Sequence, residues 1–358
     1  MKKLNLAIIG QGRSGKDIHG NYFIDKKNVY YNVRYVVDQD ARRREISKTR
    51  YEGCETLCDY TELFDKKDVD VVVNTAYSDQ HYEITKDLLL HDFNVVVDKP
   101  FSKTYEQCKE LMVLAKEKNL VLAVFQQSFY APYYEHSVSV VKEKRVGEVL
   151  EVSIRYNSLA RRWDWQTLQK RVGGNSYNTG PHPFGMALGL LDFDPNAYVA
   201  YSKLAHTQMS SGDYDDFCKA IITAPGKPLI DIEISNVDAY NDGMVKIQGT
   251  CGTYKTNTTD YAMKYVAEGD NVERPVQENF IQADDGSPIY CSEKLITREE
   301  SGKFDGTAFD VGTRRFYEEL YTWIVDGKEM SVTAEMAARV IQIIEKIHID
   351  NPIEKKYR

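Results

Sequence analysis

A glycine-rich turn directly after the first apolar run limits what this chain can fold into more than any other feature. The segment LNLAIIGQGRSG, residues 4–15, follows a G-x-G-x-x-G pattern. Its glycines permit a tight turn after a strand, a close approach of the backbone to a pyrophosphate, and close packing of the next helix. That helix would point its unpaired N–H groups at the phosphates. The residues predicted to contact a dinucleotide here are Gly10, Gln11, Gly12, Arg13, Ser14 and Gly15.

An acidic residue at the end of the second apolar run bears on which dinucleotide is bound. Residues 33–37 lead into Asp38, where a carboxylate receives the adenosine ribose hydroxyls. A carboxylate there favours NAD, because it repels a 2′-phosphate. However, Arg42, Arg43 and Arg44 follow closely and could hold that phosphate. NAD is therefore the predicted cofactor, and NADP is left open.

Length and composition exclude several classes of protein. A chain of 358 residues is long for one core, so two domains are expected. The formal net charge of −8, without a basic block, argues against a nucleic acid partner. No apolar run is long enough to span a membrane, and the first glycine comes too early for a signal peptide. The six scattered cysteines are typical of reduced thiols, so we expect a cytoplasmic protein with no metal site.

Alternating strand and helix patterns predict an NAD(P)-binding, doubly wound parallel sheet, a Rossmann domain, over residues 1–125. Short β-branched runs are typical of parallel strands covered on both faces. Beyond the first two strands, the predicted strands are residues 71–74, 94–97 and 121–125, with helices at residues 79–91 and 104–118. Thr104 and Gln107 form a capping box at the start of the second helix.

From residue 126 to residue 358 the pattern predicts an α+β domain that binds substrate and mediates oligomerisation. The predicted strands are residues 149–156, 217–223, 230–234 and 245–250. Isoleucines alternate with Asp231 and Glu233, which predicts a large, mostly antiparallel sheet with one face open to solvent. Such faces commonly pair between subunits, so we expect a homodimer or homotetramer.

The rest of this region is predicted from helical stripes and from polarity. One helix should end at Gly327 and another should begin after Thr333, and their packing against the first domain is left open. The polar residues 260–305 are interpreted as a long excursion over the surface.

Two segments place reactive side chains where a cofactor-binding sheet would present them. Asp98-Lys99-Pro100 follows a predicted strand, so the Lys99 amine should project over the crevice, with a backbone that the proline restricts and that is compatible with a cis bond. In residues 173–183, Asn178 and His182 are four apart and would share one side of a helix. Histidine is suited to proton exchange near neutrality. A surface lysine and a packed histidine are the alternatives.

These motifs together resemble the glucose-fructose oxidoreductase and inositol dehydrogenase (Gfo/Idh/MocA) family over nearly the whole chain. Besides the glycine turn, residues 74–81 (NTAYSDQH) resemble the family's A-T-P-N-x-x-H, and residues 98–100 resemble its E-K-P. Residues 173–182 resemble its G-G-x-x-x-D-x-G-x-H, and the C-terminal VTAEMAARVIQIIE is also similar. The branch most resembled contains scyllo-inositol dehydrogenase-like sugar and polyol oxidoreductases.

The resemblance implies an NAD(P)-dependent oxidoreductase that transfers a hydride between nicotinamide and a secondary alcohol of a sugar or cyclitol. It implies that Lys99 and His182 are catalytic and lie beside the substrate hydroxyl. The further residues expected near the cofactor are Asn74, Thr75, Tyr77, His81, Asp98, Lys99 and Gln127. The residues expected near the substrate are Lys99, Arg162, Trp163, Trp165, Asn178 and His182.

Three departures from the family pattern bear on catalysis. Asn178 and Gly185 stand where most members have aspartates, and residues 127–129 stand where many have an amide followed by arginines. An asparagine can hold a sugar hydroxyl but cannot stabilise an imidazolium as a carboxylate does. Two alternatives stay open: an enzyme that oxidises a sugar transiently while it breaks a glycosidic bond, and a non-catalytic sensor of nucleotide or sugar.

Overall fold

The computed structural model describes residues 2–240 and 243–357, and its N-terminal part is built on a six-stranded parallel sheet. The strands are β1 Leu4–Ile9, β2 Tyr31–Val37, β3 Glu55–Leu57, β4 Val71–Asn74, β5 Val95–Asp98 and β6 Leu122–Phe125. Their spatial order is β3-β2-β1-β4-β5-β6. The order reverses at β1, so a crevice opens at the carboxyl ends of β1 and β4, where doubly wound sheets bind ligands.

Helices cover both faces of this sheet, as its apolar strands require. A π-helical stretch, Arg13–His19, leads into the first α-helix. The α-helices are α1 Gly20–Ile24, α2 Ala41–Arg50, α3 His81–Leu90 and α4 Tyr105–Glu117, with 3-10 turns at Tyr60–Leu63 and Ser78–Gln80. Thr104 begins α4 with the predicted capping box, since both reciprocal hydrogen bonds with Gln107 are present.

The C-terminal part contains an eight-stranded sheet with the order β16-β13-β12-β11-β7-β10-β9-β8. Its strands are β7 Val149–Asn157, β8 Tyr198–Ala205, β9 Phe217–Thr223, β10 Leu229–Ser235, β11 Val245–Gly249, β12 Gly252–Thr256, β13 Asp260–Tyr265 and β16 Arg298–Lys303. The small hairpin of β14 Ile281–Gln282 and β15 Pro288–Ile289 forms a separate sheet. Only the pairing of β7 with β10 is parallel among the described pairs of the large sheet. The predicted mostly antiparallel sheet is therefore confirmed.

The prediction of a surface excursion over residues 260–305 is wrong at both ends. Residue Asp260 pairs with Lys303, and β13 and β16 together form one edge of the large sheet. Strand β16 has the sequence REESGK, whose charges suit an exposed edge but give no apolar alternation. In β13 Met263 is buried in the core, and Tyr261 and Tyr265 pack against the same core while partly buried.

Some of the remaining helices cover one face of the large sheet, and the last two pack against the parallel sheet. The remaining helices are α5 Pro132–Lys142, α6 Gly174–Asn178, α7 Pro181–Leu190, α8 Thr313–Asp326 and α9 Ala334–Asp350, with 3-10 turns at Gln127–Tyr130, Trp165–Thr167 and Gln169–Arg171 and a π-helical turn at Ala308–Gly312. Helix α7 packs against β7 and β10. On the opposite face, Asp231 pairs with Arg155 and Lys219, so that face is polar.

The two C-terminal helices lie against the parallel sheet. Phe316 of α8 contacts Phe125 with ring centroids 4.9 Å apart, and the Tyr31 hydroxyl donates to the Tyr317 carbonyl oxygen at 2.8 Å. Helix α9 lies beside α4, where the Glu345 carboxylate accepts from the Tyr105 backbone N–H. None of the helices in the described ranges combines the length and apolar character needed to cross a bilayer.

Candidate active site

The glycine turn has the shape that a bound pyrophosphate needs. Gly10 has φ +90°, and a Cβ there would lie 2.7 Å from the Thr75 carbonyl oxygen. A Cβ on Gly15 would lie 2.0 Å from the Gly10 carbonyl oxygen, so this position requires glycine. Gly12 differs, because a Cβ there would meet no atom within 4 Å. The second glycine thus faces open space at a helix start without a side-chain cap, which fits a dinucleotide phosphate.

Asp38 lies beside this turn, and its carboxylate is held by backbone donors. Oxygen Oδ2 accepts from the Gln11 N–H at 2.7 Å, and Oδ1 accepts from the Asp40 N–H at 2.8 Å. Of the three arginines, Arg43 is the one next to this carboxylate, with Nη1 3.5 Å from Oδ2. Arg42 pairs with Asp40 instead, while Arg44 donates to the Asp38 carbonyl oxygen. The structure therefore places a guanidinium beside the carboxylate that is predicted to receive the ribose.

The segment after β4 contacts both the glycine turn and the Lys99-Pro100 segment. Thr75 donates its hydroxyl to the Ile9 and Gly10 carbonyl oxygens at 2.8 and 2.9 Å. His81 places Nδ1 2.7 Å from the Pro100 carbonyl oxygen, and burial lowers the pKa of His81. Buried Asn74 donates to the Thr85 hydroxyl at 3.1 Å. These predicted cofactor residues therefore position the crevice walls, while Tyr77 is 43% exposed at its edge.

Asp98 and Lys99 follow β5 at the same edge of the sheet. Asp98 accepts from the Ser14 hydroxyl of the glycine turn and, at 2.7 Å, from the Lys99 backbone N–H. The Lys99-Pro100 bond is cis. The Lys99 Nζ donates to the Asn178 carbonyl oxygen at 2.6 Å. Burial lowers the pKa of Lys99; the Asp98 carboxylate opposes this shift and nearby arginines reinforce it.

His182 stands in the first turn of α7 and contacts Ser128. Its Nδ1 lies 3.0 Å from the Ser128 hydroxyl oxygen. Burial, reinforced by the charge of Lys99, lowers the pKa of His182 from 6.5 to about 3. The imidazole is therefore neutral at neutral pH.

Asn178 and His182 do not share a helix. Asn178 ends α6, whereas α7 begins at Pro181, which has no N–H to continue the earlier helix. The Asn178 side chain accepts from Gln166 Nε2 at 3.1 Å, and its carbonyl oxygen receives Lys99. Its hydrogen bonds thus position Lys99, and none of the described ones reaches the imidazole.

The predicted sugar-binding residues separate into two groups. Trp165 reaches the crevice, with its ring edge-on to Tyr77 and the centroids 4.9 Å apart. Arg162 pairs with Asp164 at 2.8 Å and lines a small polar pocket together with Gln166 and Asn178. Trp163 is 76% exposed and does not join this group.

Two of the departures from the family pattern compensate each other. A Cβ on Gly185 would lie 3.0 Å from Cζ of Phe129, so the absent side chain makes room for the phenylalanine ring. Gln127, in the same 3-10 turn, is buried, and its Oε1 has no hydrogen-bond partner in the described ranges. An unpaired buried carbonyl oxygen is compatible with a ligand donor at this position.

Sequence reasoning missed Ser128, Gln166, Asp79 and Arg171. Ser128 follows β6 as Lys99 follows β5, and that position was the signal available for it. The other three reach the site through partners distant in the chain. In the described residues, no group of three or more His, Cys, Asp or Glu side chains is placed to hold a metal ion.

Comparison with protein families agrees with this geometry. A family model described as an oxidoreductase family with an NAD-binding Rossmann fold, GFO/IDH/MocA, matches residues 4–126. The model of the GFO/IDH/MocA C-terminal domain matches residues 134–255. The chain belongs to this family. It is thus an NAD(P)-binding oxidoreductase, as the motifs indicated.

Individual relatives are distant. The uncharacterized oxidoreductase YhhX of Escherichia coli is 29% identical over 43% of this chain and 44% of its own length. The chain thus matches less than half of that relative. The scyllo-inositol 2-dehydrogenase (NADP(+)) IolW of Bacillus subtilis is 23% identical over 96% of this chain and 92% of its own length.

Solved structures show the same fold across nearly the whole chain. The crystal structure of YhhX superposes with a TM-score of 0.77 at 20% identity, covering 98% of both chains. KijD10, a 3-ketoreductase from Actinomadura kijaniata solved with NADP and TDP-benzene, superposes with a TM-score of 0.78 at 14% identity and also covers 98% of both chains. At such identities the likeness establishes the fold alone.

Proposed function

We propose that this oxidoreductase interconverts a secondary alcohol of a sugar or cyclitol with the corresponding ketone. One observation carries the proposal. The Lys99 amine, after β5, donates to the Asn178 carbonyl oxygen at 2.6 Å, and the His182 imidazole, four residues after Asn178, lies 3.0 Å from the hydroxyl of Ser128, which follows β6. Asp98, the residue before this lysine, is hydrogen-bonded to Ser14 of the glycine turn. A proton-handling pair thus adjoins the cofactor cradle.

The residues present fit a nicotinamide dinucleotide. We assign the glycine turn to the pyrophosphate, Asp38 to the adenosine ribose, and Tyr77 and Gln127 to the nicotinamide end of the crevice. When bound, the nicotinamide supplies the hydride acceptor or donor for the carbon that carries the hydroxyl. The protein residues have to bind the alcohol and handle its proton.

The neutral imidazole of His182 suits the proton step in the direction of oxidation. If its Nδ1–H donates to the Ser128 oxygen, 3.0 Å away, the lone pair of Nε2 is free to accept the hydroxyl proton. Lys99 donates a hydrogen bond to the same oxygen and stabilises the negative charge that develops on it. In the direction of reduction, the same proton returns from the imidazolium of His182 to the substrate oxygen, while Lys99 keeps its hydrogen bond to that oxygen.

The surroundings of this pair suit a polyhydroxylated substrate. Arg162, Gln166 and Asn178 form one hydrogen-bonded chain whose last member holds the Lys99 amine, and Trp165 presents an aromatic ring at the crevice. Amide and guanidinium groups beside an aromatic ring form the mixture that sugar hydroxyls and C–H faces require. The name of one relative, a scyllo-inositol 2-dehydrogenase, supports the same substrate class.

A panel of cyclitols, aldoses and nucleotide sugars tests this function, with the absorbance of the reduced cofactor followed for both NAD and NADP. Turnover with at least one secondary alcohol supports the proposal. Tightly retained NAD without net cofactor turnover would point instead to transient oxidation during cleavage of a glycosidic bond. Binding of cofactor and sugar without any turnover would indicate a sensor.

Two further proposals concern organisation. We infer that residues 1–125 form the cofactor domain and residues 126–358 the substrate domain. We also infer that the polar face of the large sheet, which carries Arg155, Lys219 and Asp231, pairs between subunits in a homodimer or homotetramer. Light scattering of the purified protein tests the assembly, and Lys219→Glu should weaken it if this face is the interface.

A further inference from the structure

Four side chains join the two sides of the crevice, and none of them belongs to the proton-handling pair. Arg171 Nη1 lies 2.9 Å from Asp79 Oδ2, and the Arg171 guanidinium lies 4.9 Å from the centre of the Tyr77 ring. The Trp165 ring meets the same tyrosine edge-on, with the centroids 4.9 Å apart. Tyr77 and Asp79 follow β4, whereas Trp165 and Arg171 precede α6. We name these four residues the rim clamp.

The rim clamp completes a ring of contacts around Lys99. On one side, His81 holds the segment after β4 against Pro100, with Nδ1 2.7 Å from the carbonyl oxygen. On the other side, Lys99 donates to the Asn178 carbonyl oxygen at 2.6 Å. The Asn178 side chain in turn accepts from Gln166, the neighbour of the clamp tryptophan, at 3.1 Å. Among these contacts, the segment after β4 and the segment before α6 touch each other directly only through the rim clamp.

The segment that carries the clamp arginine is compact enough to move as one unit. Val172 adopts φ +53°, which reverses the chain directly after the arginine. A Cβ on Gly173 would lie 2.2 Å from the Gln166 carbonyl oxygen, so the two ends of the segment are in close contact. Contacts thus run from this segment through Gln166 to Asn178, whose carbonyl group holds Lys99.

We propose that Arg171 is a positioning residue, which keeps the Gln166–Asn178 side of the crevice against the Tyr77 side and so orients the Lys99 amine toward the substrate oxygen. Arg171 is the cation that pairs with the Asp79 carboxylate through Oδ2. The other oxygen, Oδ1, is buried without a hydrogen-bond partner in the described ranges, so loss of Arg171 would leave this carboxylate poorly compensated. The predicted effect on turnover rests on the proposed function. The contact between the two sides of the crevice, which we call its closure, does not depend on that function.

The closure is tested by fluorescence quenching, which needs neither substrate nor activity. The chain has three tryptophans, and Trp163→Phe with Trp323→Phe leaves Trp165 as the one emitter. In this background, Arg171→Leu should raise the acrylamide quenching constant of Trp165 about twofold or more, because the clamp then opens locally. Asp79→Asn should act in the same direction, and it tests the clamp even if Arg171→Leu does not fold.

Arg34 of β2, which also pairs with Glu55 of the edge strand β3, provides a control elsewhere on the parallel sheet. It makes the same two types of contact, with Nε 2.8 Å from Asp68 Oδ2 and the guanidinium 4.9 Å from the Tyr35 ring centre. Arg34→Leu should leave the quenching of Trp165 unchanged. Unchanged quenching in both clamp variants would overturn the proposal, whatever substrate the protein has.

With a substrate from the panel, the positioning role predicts a specific kinetic pattern. Arg171→Leu should lower kcat/KM by about tenfold or more, because a small misplacement of a reacting group is costly. NADH affinity should change much less than kcat/KM, and Arg171→Lys, which keeps the charge, should restore most of the loss. Equal losses in NADH affinity and kcat/KM, or no difference between the leucine and lysine variants, would contradict it.

Discussion

Replacing Asp38 with serine should move the cofactor preference from NADH toward NADPH. The carboxylate is 8% exposed and fixed by the N–H groups of Gln11 and Asp40 at 2.7 and 2.8 Å. A 2′-phosphate placed about 4 Å from a carboxylate is repelled by about 4 kcal/mol per pair of unit charges at an effective dielectric constant near 20. Arg43, 3.5 Å from the carboxylate, offsets most of this repulsion.

The net preference of the parent protein for NADH should therefore be about 1 to 2 kcal/mol, which is roughly five- to thirtyfold in Kd. Asp38→Ser removes the repulsion and leaves Arg43 free to bind the phosphate, so NADPH should then bind at least as tightly as NADH. The double variant Asp38→Ser, Arg43→Ala should bind both weakly and without preference. These changes should shrink at high salt, since screening weakens charge interactions.

Fluorescence titration of each reduced cofactor measures these affinities directly. The control is Arg42→Ala, because Arg42 pairs with Asp40, whereas Arg43 is the arginine beside Asp38. Tighter binding of NADPH than of NADH by the parent, lost on Arg43→Ala, would refute the reasoning, because it would show that the guanidinium outweighs the carboxylate.

Three further results are expected. Because burial lowers the pKa of His182 to about 3, and the reaction needs the neutral imidazole, kcat/KM should fall only as the pH drops well below 6.5; an acid limb near 6.5 would contradict the assigned base. Asn178→Asp should raise the pKa of that limb because a nearby carboxylate favours imidazolium, whereas an unmoved profile would show that residue 178 acts on the lysine alone. Gly15→Ala should lower the thermal midpoint, because its Cβ would lie 2.0 Å from a carbonyl oxygen, while Gly12→Ala should fold normally and bind NADH more weakly; equal stability of the two variants would contradict the geometry of the turn.

Much of the parallel sheet could be predicted, because its signals are local. Runs such as Val71–Asn74 are β-branched and wholly buried, and the capping box at Thr104 lies within four residues of sequence. The large sheet is different. Its edge strand Arg298–Lys303 is charged, and its parallel pair, Val149–Asn157 with Leu229–Ser235, depends on contacts between distant residues. The edge strand has no periodic apolar pattern, and the alternation within the other two strands does not show that they pair with each other.

The candidate site shows the same division between local and distant signals. Lys99 could be placed because it follows a buried strand, and that rule applies equally to Ser128. The hydrogen-bond partner of Lys99 could not be predicted. It is the backbone carbonyl group of Asn178, and a backbone group leaves no signal in the pattern of side chains. The pair of Arg171 and Asp79 is 92 positions apart. Trp163 was predicted to bind substrate from its residue type, but it is mostly exposed.

The central claim is that Lys99 acts on the oxygen of a secondary alcohol beside the nicotinamide, and one comparison tests it most directly. With the best alcohol of the panel, Lys99→Met should lower turnover about a hundredfold or more, as expected when a charge-stabilising donor is lost from a reacting oxygen. NADH affinity should remain that of the parent, and the exposed control Lys103→Met should keep normal turnover. Near-normal turnover of Lys99→Met would contradict the account and leave the proton to another group.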